Sequence, residues 1–87
     1  MLRVAVLASG RGSNLAALLD ASRLPGAGYD IVGVFSDKPN ADALDIARDA
    51  GVPAVALAPV KGTDRNAFDA AFFAKVQEVQ PDLIVCA

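Results

Sequence analysis

The sequence contains no histidine and a single cysteine, Cys86, among its 87 residues. One thiol cannot form a disulfide within the chain, and without histidine or further cysteines the usual ligands of a zinc site are missing. We therefore expect no metal ion and a reducing, cytoplasmic location. The missing histidine also removes the side chain that most often transfers protons in catalysis near neutral pH.

Long apolar runs and an excess of basic charge are missing as well. No stretch approaches the roughly 18 apolar residues of a membrane-spanning helix, and the apolar run after Arg3 is too short for a secretory signal. Eight basic and ten acidic residues give a formal net charge of −2, so no overall positive field attracts nucleic acid. We therefore expect small molecules as partners, with neither a membrane nor nucleic acid among them.

Apolar residues make up 54% of the chain, and they fall into segments of alternating strand and helix length. The spacing predicts strands at 2–7, 29–35, 53–57 and 82–87, and helices after Asn14, over 41–50, and from a cap at Thr63 or Asp64 to Pro81. The strands are almost continuously apolar, which is typical of strands buried on both faces of a sheet. The sequence therefore predicts an α/β fold: a Rossmann-like parallel sheet with helices on both faces, element order β-α-β-α-β-α-β and strand order 3-2-1-4.

The predicted strand order also predicts where a ligand would bind. The winding direction reverses between the first and fourth strands, and ligands of such sheets bind at the carboxyl ends of the strands at that point. The fourth strand lies at the edge, and Ala87 stands where the second wall of the pocket is expected to begin. We therefore interpret residues 1–87 as one half of a larger α/β domain, incomplete at its C-terminal end.

The loop between the first strand and the first helix has the clearest functional pattern. It reads Ser9-Gly10-Arg11-Gly12-Ser13-Asn14. Its glycines allow backbone to approach a ligand closely, Ser13 and Asn14 are favoured helix N-cap residues, and Arg11 adds a cation. The unpaired N–H groups and the dipole of a helix N-terminus attract anions. The pattern therefore predicts an anion site, with phosphate as the expected ligand.

Other interpretations of this loop stay open. It is not a P-loop, because it lacks four residues between the glycines and the Gly-Lys-Ser/Thr ending. It matches the dinucleotide fingerprint only in part, since Leu15 stands at the position of the third glycine, so a degenerate Rossmann nucleotide-binding half is one alternative. A non-catalytic anion-binding module is another, and a tight turn without a ligand is the simplest.

A few further side chains have mainly structural interpretations. Asp37 follows the second strand, where dinucleotide folds place a ribose-binding acid, but a turn residue is favoured. Phe68 and Phe72 are predicted to lie in the core, and Phe73 either at its edge or at a partner contact. Cys86 is predicted to be a small apolar residue in a buried strand.

The segment VAVLASGRGSNLAALLDA resembles the opening of the phosphoribosylglycinamide formyltransferase family. The hallmark of that family is a strand, the motif Ser-Gly-x-Gly-Ser-Asn-Leu and a helix. The resemblance continues through VFSDKPNADALDIARDAGVP, DRNAFDAAF and QPDLIVCA, so it covers essentially the whole chain. Asp37 is one departure, because the family often has Asn after Phe-Ser.

The resemblance implies transfer of a formyl group from N10-formyltetrahydrofolate to the amine of 5′-phosphoribosylglycinamide, a step of purine synthesis. It implies that the substrate phosphate is held by Gly12, Ser13 and Asn14, with Gly10 and Arg11 supporting. It also implies that Arg65, at the start of the third helix, belongs to the folate site.

The catalytic residues of that family, an Asn-x-His pair and a later Asp, have no counterpart in these 87 residues. In acyl transfer such a histidine would move a proton and the amide would stabilise the oxyanion. We therefore expect residues 1–87 to be the phosphate-binding N-terminal half of a formyltransferase domain, inactive alone. A homodimer is compatible with this interpretation.

Overall fold

Strands and helices alternate throughout the part of the chain that the computed structural model describes, residues 1–9 and 11–87. The element order is β1 (Leu2–Leu7), α1 (Ser13–Ser22), β2 (Tyr29–Ser36), α2 (Asp42–Asp49), β3 (Ala54–Ala56), α3 (Arg65–Gln77) and β4 (Leu83–Cys86). Each predicted element is present, and the bounds differ from the predicted ones by only a few residues. None of the helices in this part of the chain is long and apolar enough to cross a membrane.

The strands form one parallel sheet in the order β3-β2-β1-β4, which confirms the predicted topology. At the carboxyl end of β1, Leu7 lies opposite Phe35 of β2 and Cys86 of β4. The register between β1 and β2 shifts between Val4 and Ala5, so that β2 contains one residue, Val32, without a partner in β1. The carboxyl ends of β1, β2 and β4 therefore lie side by side at one edge of the sheet.

The helices end where the sequence contains residues that stop a helix. Ala50 is the C-cap residue of α2, and Gly51 follows it with a φ of 76°. A left-handed residue after the last turn is the usual end of a helix, and glycine adopts it without steric cost. Helix α3 begins after the N-cap residue Asp64, which is one of the two predicted cap positions.

The two faces of the sheet are covered unequally. Helices α1 and α2 pack on one face, where their buried side chains meet those of β1 and β2: Val4, Val6, Ala8, Leu15, Leu19, Ile31, Val34, Ala41, Ala43, Leu44 and Ala47. Helix α3 covers the other face, where Ala5, Phe35 and Val76 are buried. The main core therefore lies between the sheet and the α1/α2 pair.

β4 lies at the edge of the sheet, as predicted, and it is incompletely buried. Leu83 keeps 48% of its surface exposed, and Cys86 is exposed as well. The expectation that Cys86 is buried is therefore wrong. The reason is the position of β4 at the sheet edge, where the described helices cover it incompletely.

The prediction that Phe68 and Phe72 lie in the core is wrong for Phe68, which belongs to neither core cluster, while the half-buried Phe72 packs against the smaller one. Helix α3 packs on the sheet through its C-terminal half, where Val76 is fully buried against Ala5 and Phe35. The aromatic residues of its N-terminal half face an open cavity instead. Phe72 contacts the edge of the smaller core, and Phe68 lies next to Phe72, with ring centroids 5.9 Å apart.

Arg3 connects the start of β1 to the turn between α3 and β4. Its Nη2 donates to the carbonyl of Val79 at 2.6 Å, and its Nε donates to the carbonyl of Gln80 at 3.1 Å. Its backbone N–H donates to Asp82 Oδ2 at 2.8 Å. Gln80 has a φ of 51°, so Arg3 stabilises a turn that includes a left-handed residue.

Candidate functional site

The loop after β1 lies at the carboxyl edge of the sheet, as the topology predicts. The backbone N–H of Ala8 donates to the carbonyl of Phe35 at 2.9 Å and so continues the pairing of β1 with β2. Ser9 and Arg11 are exposed. Gly10, which was predicted to support the phosphate site, lies outside the described residues.

The N-cap residue of α1 is Gly12, not Ser13 or Asn14 as predicted. Gly12 has a φ of 83°, a left-handed conformation that glycine adopts easily, so the helix begins one residue later with Ser13. The side chains of Ser13 and Asn14 are exposed and make no capping hydrogen bond. Both are therefore free to face a ligand at the N-terminus of α1.

The absent side chain of Gly12 makes room for α2. A Cβ atom at this position would lie 2.7 Å from Ile46 Cδ1 and 2.9 Å from Ala43 Cα. Because the Ala43 atom belongs to the backbone, it cannot move aside without moving the helix. The glycine that was predicted to admit a phosphate thus has a packing role between α1 and α2, whatever its backbone binds.

A cavity of about 280 Å³ opens beside this loop. Arg11 and Lys38 supply two cations to its wall, and Asp42 supplies one carboxylate. The sequence favours a solvated Lys38 over a ligand-binding one, and Lys38 is exposed. The strand order contains a signal for this position. Because β2 is next to β1, a cation in the turn after β2 is expected to lie near the loop after β1.

A second cavity, of about 320 Å³, lies over the carboxyl ends of β1, β2 and β4 on the α3 face. Its wall is aromatic towards α3, through Phe68, Phe72 and Phe73. Polar groups surround it: Ser9, Ser36, Asp37, Arg65 and Asp69. Such a cavity fits a ligand with a flat apolar body and polar ends.

Arg65 is the first residue of α3 and lines this second cavity, with 86% of its side chain exposed. Its Nε lies 3.4 Å from Asp69 Oδ1. Of the described residues predicted for the phosphate, Arg11 lines the first cavity and Asn14 lines another beside Cys86 and Ala87, whereas none lines the cavity of Arg65. The first and second cavities adjoin at the end of β1, because Ser9 lines both of them.

Ser36, the last residue of β2, is a buried polar residue. Only 1% of it is exposed, and its Oγ accepts a hydrogen bond from the backbone N–H of Lys38 at 3.1 Å. This bond fixes the turn that carries Asp37 and Lys38 towards the two cavities. Asp37 itself is exposed in that turn, in agreement with the favoured interpretation.

The arrangement is suited to binding. Among residues 1–9 and 11–87, no group of three or more histidine, cysteine or acidic side chains is placed to hold a metal ion. The sequence has no histidine to act as a general base beside Cys86 or a serine. The N-terminus of α1 and the aromatic wall of the second cavity are suited to an anion and to an aromatic body.

Residues 2–87 match the model of the family described as formyl transferase. The chain belongs to the formyl transferase family. It is 34% identical over 86 residues to the phosphoribosylglycinamide formyltransferase of Escherichia coli, covering 99% of this chain and 41% of that protein. It is also 40% identical to the trifunctional purine biosynthetic protein adenosine-3 of Drosophila melanogaster, covering 98% of this chain and 6% of that protein. These formyl transferase relatives confirm the resemblance, and they are enzymes.

The solved structure of phosphoribosylglycinamide formyltransferase from Brucella melitensis has the same fold. It is 35% identical, superposes with a TM-score of 0.92, and is matched over 98% of this chain and 44% of its own. The α/β fold with strand order 3-2-1-4 is therefore that of the formyl transferase family. The chain spans less than half the length of these bacterial relatives.

Proposed function

We propose that this chain is the N-terminal, phosphate-binding part of a phosphoribosylglycinamide formyltransferase domain. The whole enzyme transfers the formyl group of N10-formyltetrahydrofolate to the amine of 5′-phosphoribosylglycinamide. Residues 1–87 hold the phosphate of the substrate through Gly12, Ser13 and Asn14, with Gly10 and Arg11 supporting. Family membership supports the reaction, and the N-terminus of α1 supports the phosphate site.

The open N-terminus of α1 is the observation that carries the proposal. The first turn of α1 contains no acidic residue, and no side chain caps it. By contrast, the first turn of α2 contains Asp42 and Asp45, which already place negative charge at that helix end. The first N–H groups of α1 are thus left for an external anion, with the exposed Ser13 and Asn14 beside them.

The folate co-substrate is proposed to bind in the cavity lined by Arg65 and the aromatic residues of α3. Arg65 supplies a cation for a carboxylate, and the aromatic side of α3 supplies an apolar wall. Both features suit N10-formyltetrahydrofolate, whose p-aminobenzoyl ring is flat and whose glutamate tail is anionic. No metal takes part in this proposal.

The chemical step requires groups that residues 1–87 do not supply. With no histidine in the sequence, the proton transfer and oxyanion stabilisation are assigned to an Asn-x-His pair and an Asp outside these residues. The 87 residues are accordingly proposed to be inactive alone. The setting is the cytoplasm, without nucleic acid or membrane as partner, and a homodimer remains a hypothesis.

A titration of the ¹⁵N-labelled chain with 5′-phosphoribosylglycinamide tests the phosphate site. The largest amide shifts are expected at Ser13, Asn14 and Leu15, because their N–H groups belong to the first turn of α1. Replacing both side chains (S13A/N14A) should weaken binding about tenfold. The matched control is S22A at the other end of α1, where Ser22 Oγ donates to the carbonyl of Leu19 at 2.6 Å. Shifts elsewhere, or equal losses in both variants, would contradict the site.

The same titration with NAD addresses the nucleotide-binding alternative. Leu15 is fully buried in the main core, so α1 cannot approach β1 as closely as the third glycine of the dinucleotide fingerprint allows. We expect no saturable NAD binding. The remaining alternative, an anion-binding module, would be favoured if the full-length protein bound the phosphate ligand but transferred no formyl group.

A further inference from the structure

Two oppositely charged side chains near the start of α3 line the proposed folate cavity. Arg65 Nε lies 3.4 Å from Asp69 Oδ1, and the spacing of four residues puts both on one side of the helix. Both line the cavity, together with Phe68 and Phe72. The ion pair is therefore part of the cavity wall.

The atom that Asp69 contacts decides which edge of the Arg65 guanidinium is left for a ligand. A guanidinium receives a carboxylate either across Nε and one Nη atom or across its two Nη atoms. Asp69 contacts the Nε edge. Within residues 1–9 and 11–87, the Nη edge makes no hydrogen bond or ion pair with another side chain. Two parallel N–H donors on that edge match the two oxygens of a carboxylate.

We propose that Asp69 is a positioning residue for Arg65. It restrains the guanidinium at the cavity, so that the Nη edge receives a carboxylate of the folate tail. An unrestrained arginine samples many rotamers, and restricting them before binding reduces the entropy lost on binding. This inference rests on the proposed function, which assigns the folate to the cavity that Arg65 lines.

The charge of Asp69 opposes its positioning effect. A carboxylate next to Arg65 repels an incoming carboxylate, although both side chains are largely exposed and salt screens that repulsion. At 0.15 M salt the Debye length is about 8 Å. Under these conditions the restraint of the Arg65 guanidinium outweighs the repulsion between Asp69 and the ligand carboxylate. Removing the charge should therefore weaken the binding of an anionic folate.

Calorimetric titration with folic acid and with its neutral diamide isolates the contribution of the carboxylates. The two probes share the ring system, so the ratio of their affinities reports on recognition of the tail. We expect D69N to lower this ratio about two- to fivefold, and D69E to restore most of it. The matched control is E78Q, which removes the Lys75–Glu78 pair, 3.7 Å apart at the far end of α3. That variant should leave the ratio unchanged.

A second measurement needs no ligand. The ¹⁵N relaxation of the Arg65 Nε–H group should show a lower order parameter in D69N than in the parent chain. Equal order parameters would mean that Asp69 does not restrain Arg65, and would overturn the proposal whatever the affinities are. D69E keeps a carboxylate within reach of Arg65 and should retain most of the order parameter of the parent chain.

The outcomes separate this inference from the proposed function. A parent chain that prefers folic acid, with the same or a stronger preference in D69N, overturns the positioning role and leaves the folate site in place. A parent chain that binds neither probe overturns the folate part of the proposed function and the carboxylate role together. A lower ratio in D69N, rescue by D69E and no effect of E78Q would support the positioning role.

Discussion

The two faces of the sheet differ in how tightly they are packed. Helices α1 and α2 close one face around a continuous core, and even the N-cap Gly12 is in contact with α2. Helix α3 is fixed to the other face only towards its C-terminal end, and a cavity separates its first turns from the strands. The comparison shows that the closed face provides stability, while the open face leaves room for a ligand.

The largest expected effect tests the contact between α1 and α2. G12A should destabilise the chain by about 3 kcal/mol, because alanine is strained at positive φ and its Cβ would collide with α2. The control is G62A: Gly62 has a similar φ of 88° but nothing within 4 Å of the added carbon. That variant should cost about 1 kcal/mol. If urea unfolding gave the same loss of free energy of unfolding for G12A and G62A, α2 would not constrain position 12.

A pair of truncations compares the two cores directly. L15A removes a fully buried side chain from the closed face and should cost about 3 kcal/mol. F72A removes a larger but half-buried side chain from the open face and should cost about 1.5 kcal/mol. The free energies of unfolding come from the same urea series. A greater loss in F72A than in L15A would reverse the ranking of the two faces.

The smallest effect concerns the side chain that attaches the end of α3 to β1. R3A removes the hydrogen bonds to Val79 and Gln80 and should cost about 1 kcal/mol, with faster amide exchange around the turn before β4. The control is R23A on the closed face, where Arg23 Nη2 donates to the carbonyl of Ala50 at 2.9 Å. Since α2 is held there by buried side chains, its exchange should change little. Faster exchange in α2 than around Val79 would contradict the comparison.

The sequence was sufficient to predict the order of elements and strands. Continuous apolar strands alternating with helices permit few topologies, and right-handed crossovers select among them. The loop between β1 and α1 could also be placed at the carboxyl edge, because that edge follows from the strand order. Its hydrogen-bonding role in binding a phosphate stays a prediction.

Burial on the open face could not be predicted from local pattern. Cys86 and Phe68 occupy apolar positions in their elements, but burial also requires a neighbour on the other side, and periodicity does not report one. The N-cap of α1 was misplaced for a different reason. Serine and asparagine are the usual caps, but the close approach of Ala43 requires a glycine at that point, and contact between distant helices is not visible in the loop sequence.

The register shift opposite Val32 changes which residues of β2 face each side of the sheet. Before Val32, Ile31 points to the closed face; after it, Val34 points to the same face, while Phe35 points to the open one. In a regular strand residues 31 and 35 would share a face, so Phe35 would be directed into a core that is already full. Deleting Val32 would therefore make the pairing with β1 regular and leave each side chain on its present face, because Ile31 and Gly33 already pair with the consecutive residues Val4 and Ala5. Deleting a residue between Gly33 and Phe35 would instead move part of the strand to the opposite face. Val32 is accordingly the position in β2 where a change in length is expected to be best tolerated.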